Sequence, residues 1–214
     1  MSMLVILLPA RSSAAEAAAA PAEWAYAFSA DGVTAQSSGH APAAQLPRAD
    51  TVVALLPPTR LSWQRPVLPK APANRLRAAL GGMLEEQLLD DDDALHLALQ
   101  PRPPAGQPAW VAVVSRPWLT AQLAALQAAG LTVDRAVPAL APTLGGNATP
   151  PQLHFFRAEG DADGICWLAA SDADGATCLP LAGTLARQRL ADHQGALRGH
   201  GQSFAIVQEA AEVR

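Results

Sequence analysis

Lysine is almost absent from this chain. Lys70 is the single one, held between Pro69 and Ala71. A phosphate-cradling loop of the Walker type needs a lysine directly after glycine, so that class is excluded. Cysteine is nearly as scarce. Cys166 and Cys178 stand alone, with no histidine pair beside them, which rules out a four-ligand zinc site. They fall on two expected neighbouring strands, so a cross-strand disulfide is conceivable in an oxidising compartment; in the cytosol both would be free core thiols. Charge is sparse as well, at 16% of residues with a net −4. A nucleic-acid binder is usually basic. Here arginines such as Arg60, Arg65, Arg75 and Arg77 are scattered without aromatic interleaving, so nucleic acid is not an expected partner.

Long apolar runs are missing too. The one near the start, residues 3–8, is far below the ~18–20 apolar residues that cross a bilayer, so the chain as given is expected to be soluble. It imitates a secretory signal. A true signal carries basic residues before its apolar core, whereas Arg11 follows this one, and a buried strand is the better reading of MLVILLP. His40, His96, His154, His193 and His200 show no metal spacing such as His-Glu-x-x-His, and no Gly-x-Ser-x-Gly elbow marks a hydrolase nucleophile. No cofactor or metal site is therefore expected. What the chain does have is apolar content, 50% of its residues, which excludes a disordered class. Its 214 residues suit one large or two small domains and can bury roughly 70% of the unfolded surface.

The segment 75–99, RLRAALGGMLEEQLLDDDDALHLAL, is the most telling. Leu76, Leu80, Met83, Gln87 and Leu88 recur at helical spacing, with Ala79 and Leu84 widening the stripe, which predicts a core-packed helix over 75–89. Pro72 suits its first turn, where a missing N–H costs nothing. Gly81 and Gly82 each cost about 1 kcal/mol against Ala in a helix interior, and point to close backbone packing or a kink. The four aspartates that follow put negative charge at the negative end of the helix dipole, so they end the helix as a solvated turn. Leu95, Leu97 and Leu99 then alternate as one strand face, with His96 on the other. The outer side of this unit is acidic: Glu85, Glu86, Asp90, Asp91 and Asp92 are the candidate partner-facing residues. They either meet basic groups of a partner or only solvate the helix. A divalent cation would need several oxygens aimed inward, which a contiguous run in a turn does not supply.

Strands are expected at 4–8, 24–28, 33–37, 51–56, 61–68, 95–99, 110–115 and 131–137, with a turn at Asp31-Gly32 and a short helical piece near 43–46. The near-continuous run at 110–115 reads as a strand covered on both faces. Pro117 opens a helix closed by Gly130. After a linker at 141–151, strands follow at 153–157, 164–170 and 176–181, with Asp-Gly turns, then a helix at 183–194 and a strand at 203–208. The five tryptophans sit within apolar patterns and read as core; an exposed one would anchor an interface.

Both halves open with a three-strand meander and go on to helix and strand. That plan belongs to the ribonuclease H-like, actin-like architecture: an α/β fold with mixed sheets in two lobes. Residues 1–142 form the first lobe, with an inserted subdomain at about 46–104. Residues 151–214 form a second, incomplete lobe.

Residues 75–99 resemble the block of type II secretion system protein L that runs Leu-Glu-Glu-x-Leu-Leu, aspartates and a His-x-Ala-Leu strand. Residues 110–140, WVAVVSRPWLTAQLAALQAAGLTVDRAVPAL, resemble the family's next block, and 50–69 fits its paired strands. The resemblance covers about residues 50–142. It implies a degenerate actin-like fold, a non-catalytic adaptor at the cytoplasmic face of the bacterial inner membrane, and docking of the N-terminal domain of the secretion ATPase, protein E of the system. Protein M of the same platform is a further implied partner, and a homodimer is left open. The family continues through a membrane helix, so this sequence is expected to be the cytoplasmic region alone.

The competing expectation is an actin-like ATPase or kinase with nucleotide between the lobes. Such enzymes place an Asp and a Gly in the first hairpin of each half. In the first half that place falls at Leu8-Pro9-Ala10-Arg11, with no carboxylate; in the second, at residues 159–164, acids and glycines are present. A structural module that dimerises through a sheet edge is the third expectation.

Overall fold

The computed structural model describes residues 1–10, 20–84, 88, 91–103, 106–143, 152–157 and 165–192. In chain order these form β1 (Met3–Leu7), β2 (Trp24–Ser29), β3 (Ser37–Ala41), β4 (Thr51–Leu56), β5 (Ser62–Gln64), α1 (Ala73–Leu84), β6 (Leu95–Leu99), β7 (Val111–Ser115), α2 (Arg116–Ala128), β8 (Arg135–Pro138), β9 (Gln152–Arg157), β10 (Cys166–Ser171), β11 (Ala176–Pro180) and α3 (Thr184–Asp192). The architecture is α/β, with three sheets among the described residues.

The first sheet has the order β3-β2-β1-β4-β8. β1 pairs antiparallel with β2, β2 antiparallel with β3, and β1 and β8 both lie parallel to β4. The opening apolar run is thus the buried strand expected: Leu4, Ile6 and Leu8 have no exposure. They pack with Trp24, Val52, Ala54 and Leu56 against Trp118, Leu119 and Leu126 of α2. Pro117 stands at the start of α2, where its missing N–H is harmless. The far end closes as a Schellman motif: Gly130 N–H donates to the Gln127 carbonyl at 2.9 Å, and Leu131 N–H to the Leu126 carbonyl at 3.0 Å. Gly130 takes the left-handed conformation this requires, with φ at +77°.

β5, β7 and β6 make a second, antiparallel sheet with β7 in the middle. Leu80 and Leu84 of α1 cover it, packing with Leu68, Leu95, Val111 and Val113. Val114, on the other face of β7, joins the first core, so the strand is buried on both sides as its sequence predicted.

The third sheet is the antiparallel meander β11-β10-β9. Trp167 to Ser171 of β10 are all buried. The register sets Cys178 against Ala169, three positions from Cys166. The two cysteines therefore face opposite sides of the sheet and are free thiols, because an odd offset sends side chains to opposite faces.

Four expected elements are displaced. The third strand starts at Ser37 rather than 33, since Asp31 accepts the N–H groups of Val33 and Thr34 at 2.8 Å each and locks them in a turn. The strand expected at 61–68 ends at Gln64, because Pro66 has no N–H for the ladder; its carbonyl accepts Ala109 N–H instead, at 3.0 Å. The helix expected at 75–89 begins at Ala73, and the Pro72 carbonyl accepts from Arg75 and Leu76. The strand expected at 131–137 begins at Arg135, since Leu131 is spent closing α2. The strand expected at 203–208 and the turn at Asp163-Gly164 lie outside the described residues.

Candidate docking surface

The acidic segment follows α1. Leu84 and Leu80 hold this helix down by their burial, at 0% and 3% exposure, and Gly81 is buried with them. Gly82 faces open space, since a Cβ there would meet nothing within 4 Å, and Met83 is exposed. The glycine pair is thus split between one buried and one exposed position. Of the five candidate acids, Glu85, Glu86 and Asp90 lie outside the described residues. Asp91 is exposed, and its carbonyl accepts Ala94 N–H at 2.8 Å. Asp92 opens the short 3-10 turn Asp92–Ala94 that leads into β6. Asp91 and Asp92 are brought together by chain adjacency. Among the described residues no group of three or more His, Cys, Asp or Glu side chains could hold a metal ion.

The tip of β1 is the place where a phosphate loop was considered. Leu8 N–H donates to the Leu55 carbonyl at 3.0 Å, and the Ala10 carbonyl accepts the Thr59 hydroxyl at 3.0 Å. Ala10 is buried against Trp167 of β10, with Phe156, Ile165 and Cys178 around them. The first and third sheets therefore meet in an apolar corner. Burial pushes the Cys178 thiol up to about 11, which leaves it protonated and unreactive at neutral pH.

Two arginines each lie over a tryptophan ring distant in the sequence. Arg60 lies over the Trp118 ring and Arg65 over the Trp110 ring, each at 5.1 Å to the centroid. Arg65 also donates to the Ala173 carbonyl at 3.5 Å, at the β10–β11 turn. That turn is held by Asp172, which accepts the N–H groups of Asp174 and Gly175 and pairs with Arg189 at 3.5 Å. The arginines looked free of aromatic neighbours because both rings come from distant parts of the chain.

Two exposed aspartates are fixed at the opposite end of the first sheet. Backbone N–H groups of Thr34 and Val33, with the Ser29 hydroxyl, lower the Asp31 carboxyl to about 2. Ser2 N–H donates to Asp50 at 2.8 Å and pulls its carboxyl below the usual range. No helix among the described residues is long and apolar enough to cross a membrane.

Residues 11–141 match the family model described as type II secretion system (T2SS), protein L. No curated protein matches the chain. Among solved structures, one similar to it is the cytoplasmic domain of EpsL, an inner membrane component of the type II secretion system of Vibrio cholerae. The two share 20% identity at a TM-score of 0.57, over 84% of this chain and 71% of that one. Another is the PilM-PilN type IV pilus biogenesis complex, at 16% identity and a TM-score of 0.50, over 97% of this chain and 72% of that one.

Proposed function

The chain belongs to the type II secretion system protein L family, and from that membership we propose a non-catalytic adaptor of the inner-membrane secretion platform, placed at its cytoplasmic face. The family match over 11–141 is the observation that carries this reading. The likeness in fold to the cytoplasmic domain of the Vibrio cholerae inner-membrane component supports it. The molecule works by offering a rigid exterior. Its occupant is the N-terminal domain of the secretion ATPase, with other platform proteins, protein M among them, as further partners.

The actin-like, two-lobed architecture is part of the same proposal. The sheet order β3-β2-β1-β4-β8, an antiparallel meander followed by parallel strands, supports a first lobe over 1–142; the insert expected at about 46–104 has to begin after β4, which is itself a strand of the first sheet. The second meander, β11-β10-β9, supports a second lobe over 151–214. An alanine packed against Trp167 stands just past the tip of β1, where the sequence supplies no carboxylate, and this supports an adaptor over a nucleotide enzyme.

The docking patch is Glu85, Glu86, Asp90, Asp91 and Asp92. Its test is affinity for the ATPase's N-terminal domain after Glu85→Lys, Glu86→Lys, Asp90→Lys, Asp91→Lys and Asp92→Lys together. A loss of about tenfold or more, steeper at low salt, is expected of a charge-steered contact. Unchanged affinity in a folded variant removes the patch and leaves the adaptor role to be judged by binding itself.

A further inference from the structure

β6 is an outer strand of the second sheet and reads LHLAL from Leu95 to Leu99. It pairs with β7, and among the described residues no strand takes its other edge. The register decides which backbone groups face outward. Gln100 N–H donates to the Trp110 carbonyl at 2.9 Å, and the β6–β7 register, carried one step on, sets these two residues opposite each other. Hydrogen-bonded and non-hydrogen-bonded positions alternate along an antiparallel pair. Ala98 and His96 therefore bond β7, whereas Leu95, Leu97 and Leu99 turn their N–H and C=O groups to the outer edge. The Leu95 carbonyl accepts from Arg116 Nη2 at 2.7 Å, so the open part of the edge centres on Leu97.

Natural edges are blunted by proline, glycine, charge or a very short strand. β5 is three residues long and runs on to Pro66, β8 ends on Pro138, and β3 contains Gly39. β6 has no proline, glycine, acid, lysine or arginine across its five residues. Leu95, Leu97 and Leu99 share the face that α1 covers, and Leu97 and Leu99 are only half-buried there. Charge stands at the two ends of the strand instead, with opposite signs. Asp91 and Asp93 are exposed before it, and Arg102 is exposed after it.

We infer that the occupant of the β6 edge is β6 of a second copy of this chain, paired antiparallel about Leu97. The strand is self-complementary in that arrangement. Leu97 stands opposite Leu97 of the second copy, and Leu95 opposite Leu99, so leucine meets leucine along one face. The two Leu97 residues exchange both of their N–H to C=O bonds. The start of each strand lies beside the end of the other. Asp91 and Asp93 of one copy thus come beside Arg102 of the second copy, at both ends of the contact. A parallel pairing would set the acids of one copy beside those of the other, which repel. The two-fold axis of an antiparallel pair is normal to the sheet, so α1 of both copies lies on the same face, over the leucines. The contact uses the same edge on each copy and therefore closes at two. The outcome is one continuous sheet with the order β5-β7-β6-β6-β7-β5. The inference does not rest on the adaptor reading, and no other protein enters it.

The test is sedimentation velocity of the full chain across concentrations, with amide exchange followed by nuclear magnetic resonance. The expected result is a reversible dimer with a dissociation constant on the order of 10 μM, weaker as salt is raised. The Leu97 amide should exchange about tenfold or more slowly in concentrated than in dilute samples, while the Ala98 amide, bonded to β7, stays protected in both. A strict monomer at roughly 100 μM would overturn the inference. So would a dimer whose Leu97 amide exchanges equally fast at every concentration. Protection of Leu97 that appears only when the N-terminal domain of the secretion ATPase is added to a monomeric chain would overturn it too, and would make that domain the occupant. As a second arm, Leu97→Pro removes a donor that β7 does not use, and should weaken the dimer about tenfold or more. If Leu97→Pro fails to fold, Arg102→Glu is measured in its place. It should weaken the dimer, and adding Asp91→Arg and Asp93→Arg should restore it. Parent-like association of the folded variant, or no recovery in the charge-swapped chain, would contradict the assignment.

Discussion

Asp31 shows how much one side chain fixes at a turn. Its carboxylate accepts two backbone N–H groups and the Ser29 hydroxyl, and Gly32 supplies a φ of +76° beside it. The folded carboxyl lies at about 2, below the ordinary 3.8. Its contribution to stability is therefore full above about pH 4 and is lost as the pH falls towards about 2. Asp31→Asn should flatten the acid limb of a melting-temperature profile across that window and leave the profile above pH 5 parallel to the parent. An unchanged acid limb would mean the turn does not hold its charge. Asp-Gly at 31–32 was legible as a turn from sequence. What could not be read was its length, because the capture of Val33 and Thr34 by a side chain overrides their β-branched preference for a strand. The arginine–tryptophan contacts were equally hidden, as each joins residues far apart in the chain.

Among the elements, the helices carry the clearest contrasts. Gly82 sits exposed in α1 with open space around its Cα, so Gly82→Ala should stabilise by about 0.5–1 kcal/mol. Gly130 closes α2 at positive φ, and a Cβ there would come within 3.3 Å of the Arg48 guanidinium, which bonds the Gly130 carbonyl. Gly130→Ala should destabilise by about 1 kcal/mol or more. Urea unfolding of the two variants checks the opposed signs. Leu84→Ala, in the packed face of α1, should cost about 2–5 kcal/mol in the same measurement. Periodicity made α1, α2 and the buried strands β1, β4, β6 and β7 readable, since each carries its own apolar pattern. β3 and β8 were misplaced because their boundaries are set by partners: β3 is drawn into the sheet by β2, and β8 starts only after Leu131 has sealed the helix.

At the scale of the molecule, the first and third sheets meet in an apolar corner past the tip of β1. Ala10 and Trp167 fill that corner, and Thr59 occupies the Ala10 carbonyl. The mixed α/β class was legible because both halves repeat a meander. The meeting of the sheets was not, because it depends on where Trp167 lands rather than on any local pattern. The candidate acids were readable as a charged run, while their spatial relation to a partner depends on residues beyond the helix itself. Magnesium and ATP should leave the melting temperature of the chain unchanged. A clear rise at millimolar nucleotide would point to a site between the sheets and reverse the adaptor reading. The most direct measurement of the central claim is a calorimetric titration of the chain with the isolated N-terminal domain of its secretion ATPase, repeated with magnesium and ATP. The account predicts saturable binding of equal affinity in both titrations. Absence of binding by a folded chain to a folded domain would contradict it.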